Sequence, residues 1–173
     1  SLELEEAQRI IDTLIGACYA INATIKKAAA QTYLLAPETV EVAGRYLGQG
    51  VVGLDLAGAE GFDPLSAFAP LFYRAAELGI PFTCHAGDSQ GPETVRDAMD
   101  FGARRIGHGH HIYDDPALVQ RAIREGVTIE VCPTSNLQTC TFADWAHHPL
   151  KTLLEAGVKV TVNSDNRTVS STT

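Results

Sequence analysis

The first 84 residues contain no histidine; all six histidines of the chain lie between His85 and His148. Any imidazole chemistry within these residues is therefore confined to residues 85–148. Positive charge is also scarce. Thirteen Lys and Arg stand against 21 Asp and Glu, a formal net charge of -8, which excludes the basic surface that nonspecific nucleic-acid binding requires. No apolar run approaches the roughly 20 residues of a membrane span, and no signal-peptide pattern opens the chain. Cys18, Cys84, Cys132 and Cys140 form no C-x-x-C pair. They read as reduced core thiols in a cytoplasmic protein rather than as disulfides. No G-x-G-x-x-G or P-loop follows any apolar run, so a nucleotide-phosphate cradle has no support.

What is present is ordinary in bulk and regular in order. With 173 residues, 45% hydrophobic and 20% charged, the composition fits one globular domain or part of one. Ser1 stands in what reads as mid-helix, and Ser170-Ser171-Thr172-Thr173 follow shortly after a strand; the expectation is an internal piece of a longer protein. Residues 3–17 place Ile10, Ile11, Leu14 and Ile15 among charges, an amphipathic helix pattern. Residues 18–36 are ambiguous: Ala28-Ala29-Ala30 favours helix, whereas Thr32-Tyr33-Leu34-Leu35 suits a strand. Pro37 sits at a helix start, and residues 38–47 read as helix.

From Gly50 onward strands and helices alternate. Strands are expected at residues 51–56, 80–84, 105–107, 127–132 and 158–162. Helices are expected at 64–78, 91–100, 116–125 and 149–156, stopped by Gly79, Gly102, Gly126 and Gly157. The strands are short, apolar and β-branched, as in sheets buried on both faces. Such repeats indicate βαβ units with right-handed crossovers, in a doubly wound sheet or part of a (β/α)8 barrel. Polar residues recur at the strand ends: Asp55, His85, His108, Ser135-Asn136 and Asp165. A site drawn from five successive strand ends suits a barrel, because an open sheet collects its ligand at one switch point.

Several of these residues carry chemistry. His85 and Asp165 supply nitrogen and oxygen donors suited to zinc. Asp88, across the Gly87 turn, is a candidate general acid if its carboxyl is desolvated; the competing role is to cap the next helix, which Ser89 could also fill. His108 is placed to orient or deprotonate a metal-bound water. His110 and His111 are expected in a solvated loop, and His147 and His148 near a helix start in structural roles. Gly58 lets a ligand approach the backbone closely. Cys132-Pro133-Thr134-Ser135-Asn136 is a polar strand exit that could line a pocket.

Six segments in order resemble the adenosine/AMP deaminase family: Gly53-Leu54-Asp55-Leu56-Ala57-Gly58, His85-Ala86-Gly87-Asp88, Arg105-Ile106-Gly107-His108-Gly109, Glu130-Val131-Cys132-Pro133-Thr134-Ser135-Asn136, His148-Pro149-Leu150 and Asn163-Ser164-Asp165-Asn166. The resemblance implies a (β/α)8 TIM barrel, of which this chain supplies about strands four to eight. Residues 48–173 would be family-like βα units, preceded by an atypical helical lead-in at 1–47. It further implies zinc as cofactor, held by His85 and Asp165, with Asp88 where the family has a glutamate that protonates the purine at N1. His108 resembles the histidine that positions the zinc-bound hydroxide for attack on C6. Gly58 resembles the backbone contact to purine N3, and Asn166 stands where many members have an aspartate that donates to N7. The family's strand-one H-x-H pair does not occur in these residues. The implied activity is zinc-dependent hydrolytic deamination of adenosine to inosine and ammonia. The alternatives are adenine deamination, another metal-dependent amidohydrolase reaction, or a non-catalytic purine-binding barrel fragment. The implied partner is a small purine nucleoside, with neither nucleic acid nor membrane. Residues 1–173 alone are expected to aggregate or dimerise, because a slice of a barrel exposes strand edges.

Overall fold

The computed structural model describes residues 25–29, 32–35, 38–58, 60–61 and 63–165, with side chains from residue 39 onward. The expected helix at 3–17, Cys18, Pro37 and Asn166 lie outside the described residues. Within the ambiguous stretch, β1 (Ile25–Ala29) and β2 (Thr32–Leu35) pair antiparallel. The lead-in is therefore not wholly helical: a hairpin precedes α1 (Glu38–Arg45). Ala28 and Ala29 fall within β1, where Ala29 pairs with Thr32, so strand pairing overrides their preference for helix.

The main body is one parallel sheet of β3 (Leu54–Leu56), β4 (Phe82–Ala86), β5 (Arg105–His108), β6 (Thr128–Val131) and β7 (Lys159–Val162). Its spatial order is its sequence order. A doubly wound sheet reverses order at a switch point; this one never does, which is the progression of a barrel wall. A 3₁₀ turn (Leu65–Phe68) and α2 (Ala69–Glu77) follow β3, so the helix expected from residue 64 becomes α-helical only at Ala69. After β4 comes α3 (Pro92–Asp100), and after β5 a 3₁₀ turn (His110–Asp114) and α4 (Pro116–Glu125). Between β6 and β7 lie α5 (Pro133–Gln138), which sequence periodicity does not suggest, and α6 (Leu150–Glu155).

Local chemistry explains the helix ends. Asp115 caps α4 by accepting from the amides of Ala117 and Leu118 at 3.0 and 3.1 Å, Pro116 fits the first turn, and Gly126 closes it at φ 70°. By contrast α3 starts at Gly91 with no side-chain cap. Asp88 is thus not a cap, and its side chain is free for other contacts.

The strands were expected to be apolar on both faces; they alternate instead. Cys84, Ala86, Ile106, Ile129 and Val131 are buried against Val95, Ala98, Met99, Leu118, Ala122 and Leu153 of the helices. Truncating a residue such as Ile106, which is fully buried, costs about 2–5 kcal/mol. The other face is polar. His85 stands in register with Gly107, which pairs with Glu130, which pairs with Thr161. The period of two puts this row on the face away from the helices. Candidate chemistry and core thus share the same short strands on opposite sides.

Candidate active site

His85 lies within β4 rather than after it, and Gly107 on the neighbouring strand accommodates it. A Cβ at Gly107 would come 2.4 Å from His85 Cδ2. The missing side chain is the space the imidazole occupies. The ring packs edge-on against His108, centroids 4.9 Å apart, and its Nε2 is 3.9 Å from Asp55 Oδ2. Asp55 itself accepts a 2.6 Å hydrogen bond from Thr83.

His108 ends β5 at φ 61°, and Asp165, beyond β7, sits at φ 57°. Left-handed backbone is uncommon for residues with a Cβ. The only other described non-glycine residue there is Cys140. Such strain persists where the surroundings over-determine a conformation, which happens often at functional sites. For Asp165 the anchor is Asn163, whose amide donates to the Val131 carbonyl at 2.9 Å and carries the β6–β7 pairing one residue further.

Asp88 occupies the turn after β4. Its Oδ1 is 3.1 Å from Asn136 Nδ2 and 3.2 Å from His108 Nδ1. Burial raises its pKa above the ordinary carboxylate range, against the pull of His108. A desolvated carboxyl that holds its proton longer is a better donor near neutrality.

Two features escape sequence reasoning. The first is Glu60. Its Oε1 accepts from the amide of Gly87 at 2.7 Å, and its Oε2 from those of Asp88, Ser89 and Gln90 at 2.8–2.9 Å. Burial alone would raise its pKa, but the four N–H groups hold it below the usual value. One carboxylate thereby fixes the backbone that carries Asp88. The only sequence hint is an acidic residue just beyond the β3 exit. The second is His110. Expected in solvent, it is fully buried in the 3₁₀ turn, where Nε2 donates to the Asp88 carbonyl at 3.1 Å. Its Nδ1 has no partner among the described residues, and burial pulls its pKa down to about 3. The expected solvation fails because the turn folds back onto Phe142, centroids 5.0 Å from His110. His111 is partly exposed and pairs with Asp114 at 2.8 Å. His147 is exposed beside Asp144, whereas His148 is buried and accepts from the Leu150 amide at 3.1 Å, at the start of α6. The expected strand exit at 132–136 is the helix α5, with Asn136 fully buried.

His85, His108 and Asp165 line one cavity of about 480 Å³, together with Cys132 and Glu130. Ligand-type atoms of His108, Cys132 and Asp165 lie within 4.8 Å of one another, as do those of Asp88, His108 and His110. Imidazole, carboxylate and thiol around a single cavity are a donor set that fits a divalent metal. The Cys84 and Cys132 thiols are both pushed up to about 12 by burial, so both stay protonated near neutral pH. Gly58, at φ 143°, adopts a backbone conformation that favours glycine, and among the described residues no atom beyond its chain neighbours lies within 4 Å of where its Cβ would be. The site therefore gathers His85, Asp88, His108 and Asp165, while Asn136 and Glu60 support Asp88.

Comparison with known proteins fits this geometry. The family model described as adenosine deaminase matches residues 11–173. Adenosine deaminase of Haemophilus ducreyi is 47% identical over 138 residues, 78% of this chain and 40% of that protein. Among solved structures, adenine deaminase of Arthrobacter aurescens superposes with a TM-score of 0.67 at 35% identity, covering 76% of this chain and 41% of that one. An amidohydrolase of Burkholderia ambifaria solved with bound zinc gives 0.70 at 27% identity, covering 78% and 38%. The chain thus spans about 40% of the length of the curated relatives it matches, and its five-stranded sheet is an arc of their (β/α)8 barrel. The chain belongs to the adenosine deaminase family.

Proposed function

We propose that the complete protein is a zinc-dependent aminohydrolase that converts adenosine to inosine and ammonia. The observation that carries this reading is the convergence of His85, Asp88, His108 and Asp165 at the mouth of the sheet, in a chain 47% identical to an adenosine deaminase. His85 and Asp165 would hold the zinc, which when bound supplies the Lewis acidity that makes a water nucleophilic near neutral pH. Asp88 donates a proton to N1 of the purine, which makes C6 electrophilic; its burial keeps that proton available. His108, whose Nδ1 faces Asp88, presents its other ring nitrogen to orient the attacking water and take its proton. Gly58 offers unobstructed backbone to N3, and the Asn166 amide donates to N7 without needing protonation, as an aspartate would.

Adenine is the second reading, because an adenine deaminase is among the similar structures. The ratio of kcat/KM for adenosine and adenine, measured on the complete protein loaded with zinc, decides between them. The reading predicts a ratio above about 10; a ratio below 0.1 assigns the free base. A difference of that size corresponds to about 1.4 kcal/mol of transition-state binding, within reach of a few ribose contacts.

A further inference from the structure

Asn136 touches Asp88 directly, and behind it His148, which has no role so far, is buried and bonded to Asn136. The direction of those bonds can be read from one end. The Leu150 amide, which can only donate, points at His148 Nδ1 at 3.1 Å. That nitrogen must therefore be bare. A neutral imidazole then carries its hydrogen on Nε2, and His148 is neutral because burial lowers its pKa. Nε2 lies 3.2 Å from Asn136 Oδ1 and donates to it. The amide orientation follows: with Oδ1 turned toward His148, Nδ2 faces Asp88 Oδ1 at 3.1 Å.

We propose that Asn136 and His148 are positioning residues for Asp88, forming a one-way hydrogen-bond chain that keeps Asp88 Oδ1 an acceptor and leaves Oδ2 as the oxygen that transfers the proton. With the Asn136 amide donating to Oδ1, a proton on that oxygen would face the amide N–H. The proton is driven to Oδ2, and the carboxyl plane is fixed. The chain starts at Leu150, the first residue of α6, so the start of that helix sets the orientation of a carboxyl in the turn after β4. The idea rests on the reading of Asp88 as proton donor.

The test uses the complete zinc-loaded protein and two kinds of readout. Asn136→Asp keeps the shape and puts an acceptor where the donor stood; kcat for adenosine is expected to fall about 100-fold with KM changed less than about threefold. His148→Leu is expected to lower kcat about tenfold. His148→Gln, whose amide can still donate to Asn136, restores most of that loss. Independently, the ¹⁵N shifts of His148 should show the Nε2–H tautomer in the native protein. The proposal is overturned if Asn136→Asp and His148→Leu keep kcat within twofold of the native enzyme, or if His148 carries its hydrogen on Nδ1. A native protein that deaminates neither adenosine nor adenine defeats the functional reading instead, and the tautomer then still decides the direction of the chain.

Discussion

To serve as the proposed proton donor, Asp88 must hold a proton on one oxygen and a fixed orientation through the other, and its contacts divide that work. Asn136 and His108 occupy Oδ1, and burial raises the pKa. Asp88→Asn keeps the shape but cannot give up a proton, so kcat should fall about 10³-fold, within the range for losing a general acid; steady-state rates with adenosine check this. His110 makes a different prediction, about stability. An unfolded chain protonates it near pH 6.5, whereas the folded protein resists until about 3. Between those values the unfolded state binds more protons, so its contribution is complete above about 6.5 and is lost as pH falls toward 3. Denaturant unfolding at pH 7 and pH 4.5 should show a loss on the order of 2 kcal/mol, at about 1.4 kcal/mol per pH unit. His110→Gln, which retains a donor for the Asp88 carbonyl, should remove that loss. The four central residues were legible because each is a polar side chain at or near the exit of an apolar strand. The burial of His110 was not, since it depends on Phe142, 32 residues away, and no local pattern encodes that contact.

At the level of elements, most strands and helices were legible within a few residues, because short apolar β-branched runs and glycine stops are local signals. The polar face of the sheet was misjudged: three- to five-residue strands offer too few positions to separate alternation from a continuous apolar run. Glu60 was invisible for another reason. Its partners are backbone amides 27–30 residues ahead, and backbone groups have no sequence signature. Its clamp makes the turn after β4 a rigid element rather than a loose loop. Glu60→Gln presents an NH2 where one oxygen accepted, leaving an amide donor unsatisfied at a cost of about 1–3 kcal/mol. Hydrogen exchange at Gly87–Gln90 should accelerate while the amides of α4 stay protected; unchanged exchange at those four amides would contradict the clamp. Gly107→Ala tests the neighbouring strand. Its methyl must displace the His85 ring, so bound zinc should drop while the fold, held by the opposite apolar face, survives. Full zinc occupancy in that variant would contradict the assignment of His85.

Across the whole molecule, the sheet ends in two strands, β3 and β7, each with one hydrogen-bonded neighbour among the described residues. On β7, Val162 is 67% exposed. Unpaired parallel edges and bare apolar groups recruit other chains. Residues 1–173 expressed alone should therefore self-associate in sedimentation experiments, and a monodisperse, cooperatively melting monomer would show that this arc of a barrel is self-sufficient. The progression of strands was legible because each βα unit repeats the same signals. The barrel was legible as well, from polar residues at five successive strand ends and from six family-like segments in order. The account stands or falls on the reaction. The complete protein, saturated with zinc and given adenosine, should release ammonia and inosine in equal amounts, at a rate that collapses in Asp88→Asn. Absence of ammonia from both adenosine and adenine under those conditions would contradict it.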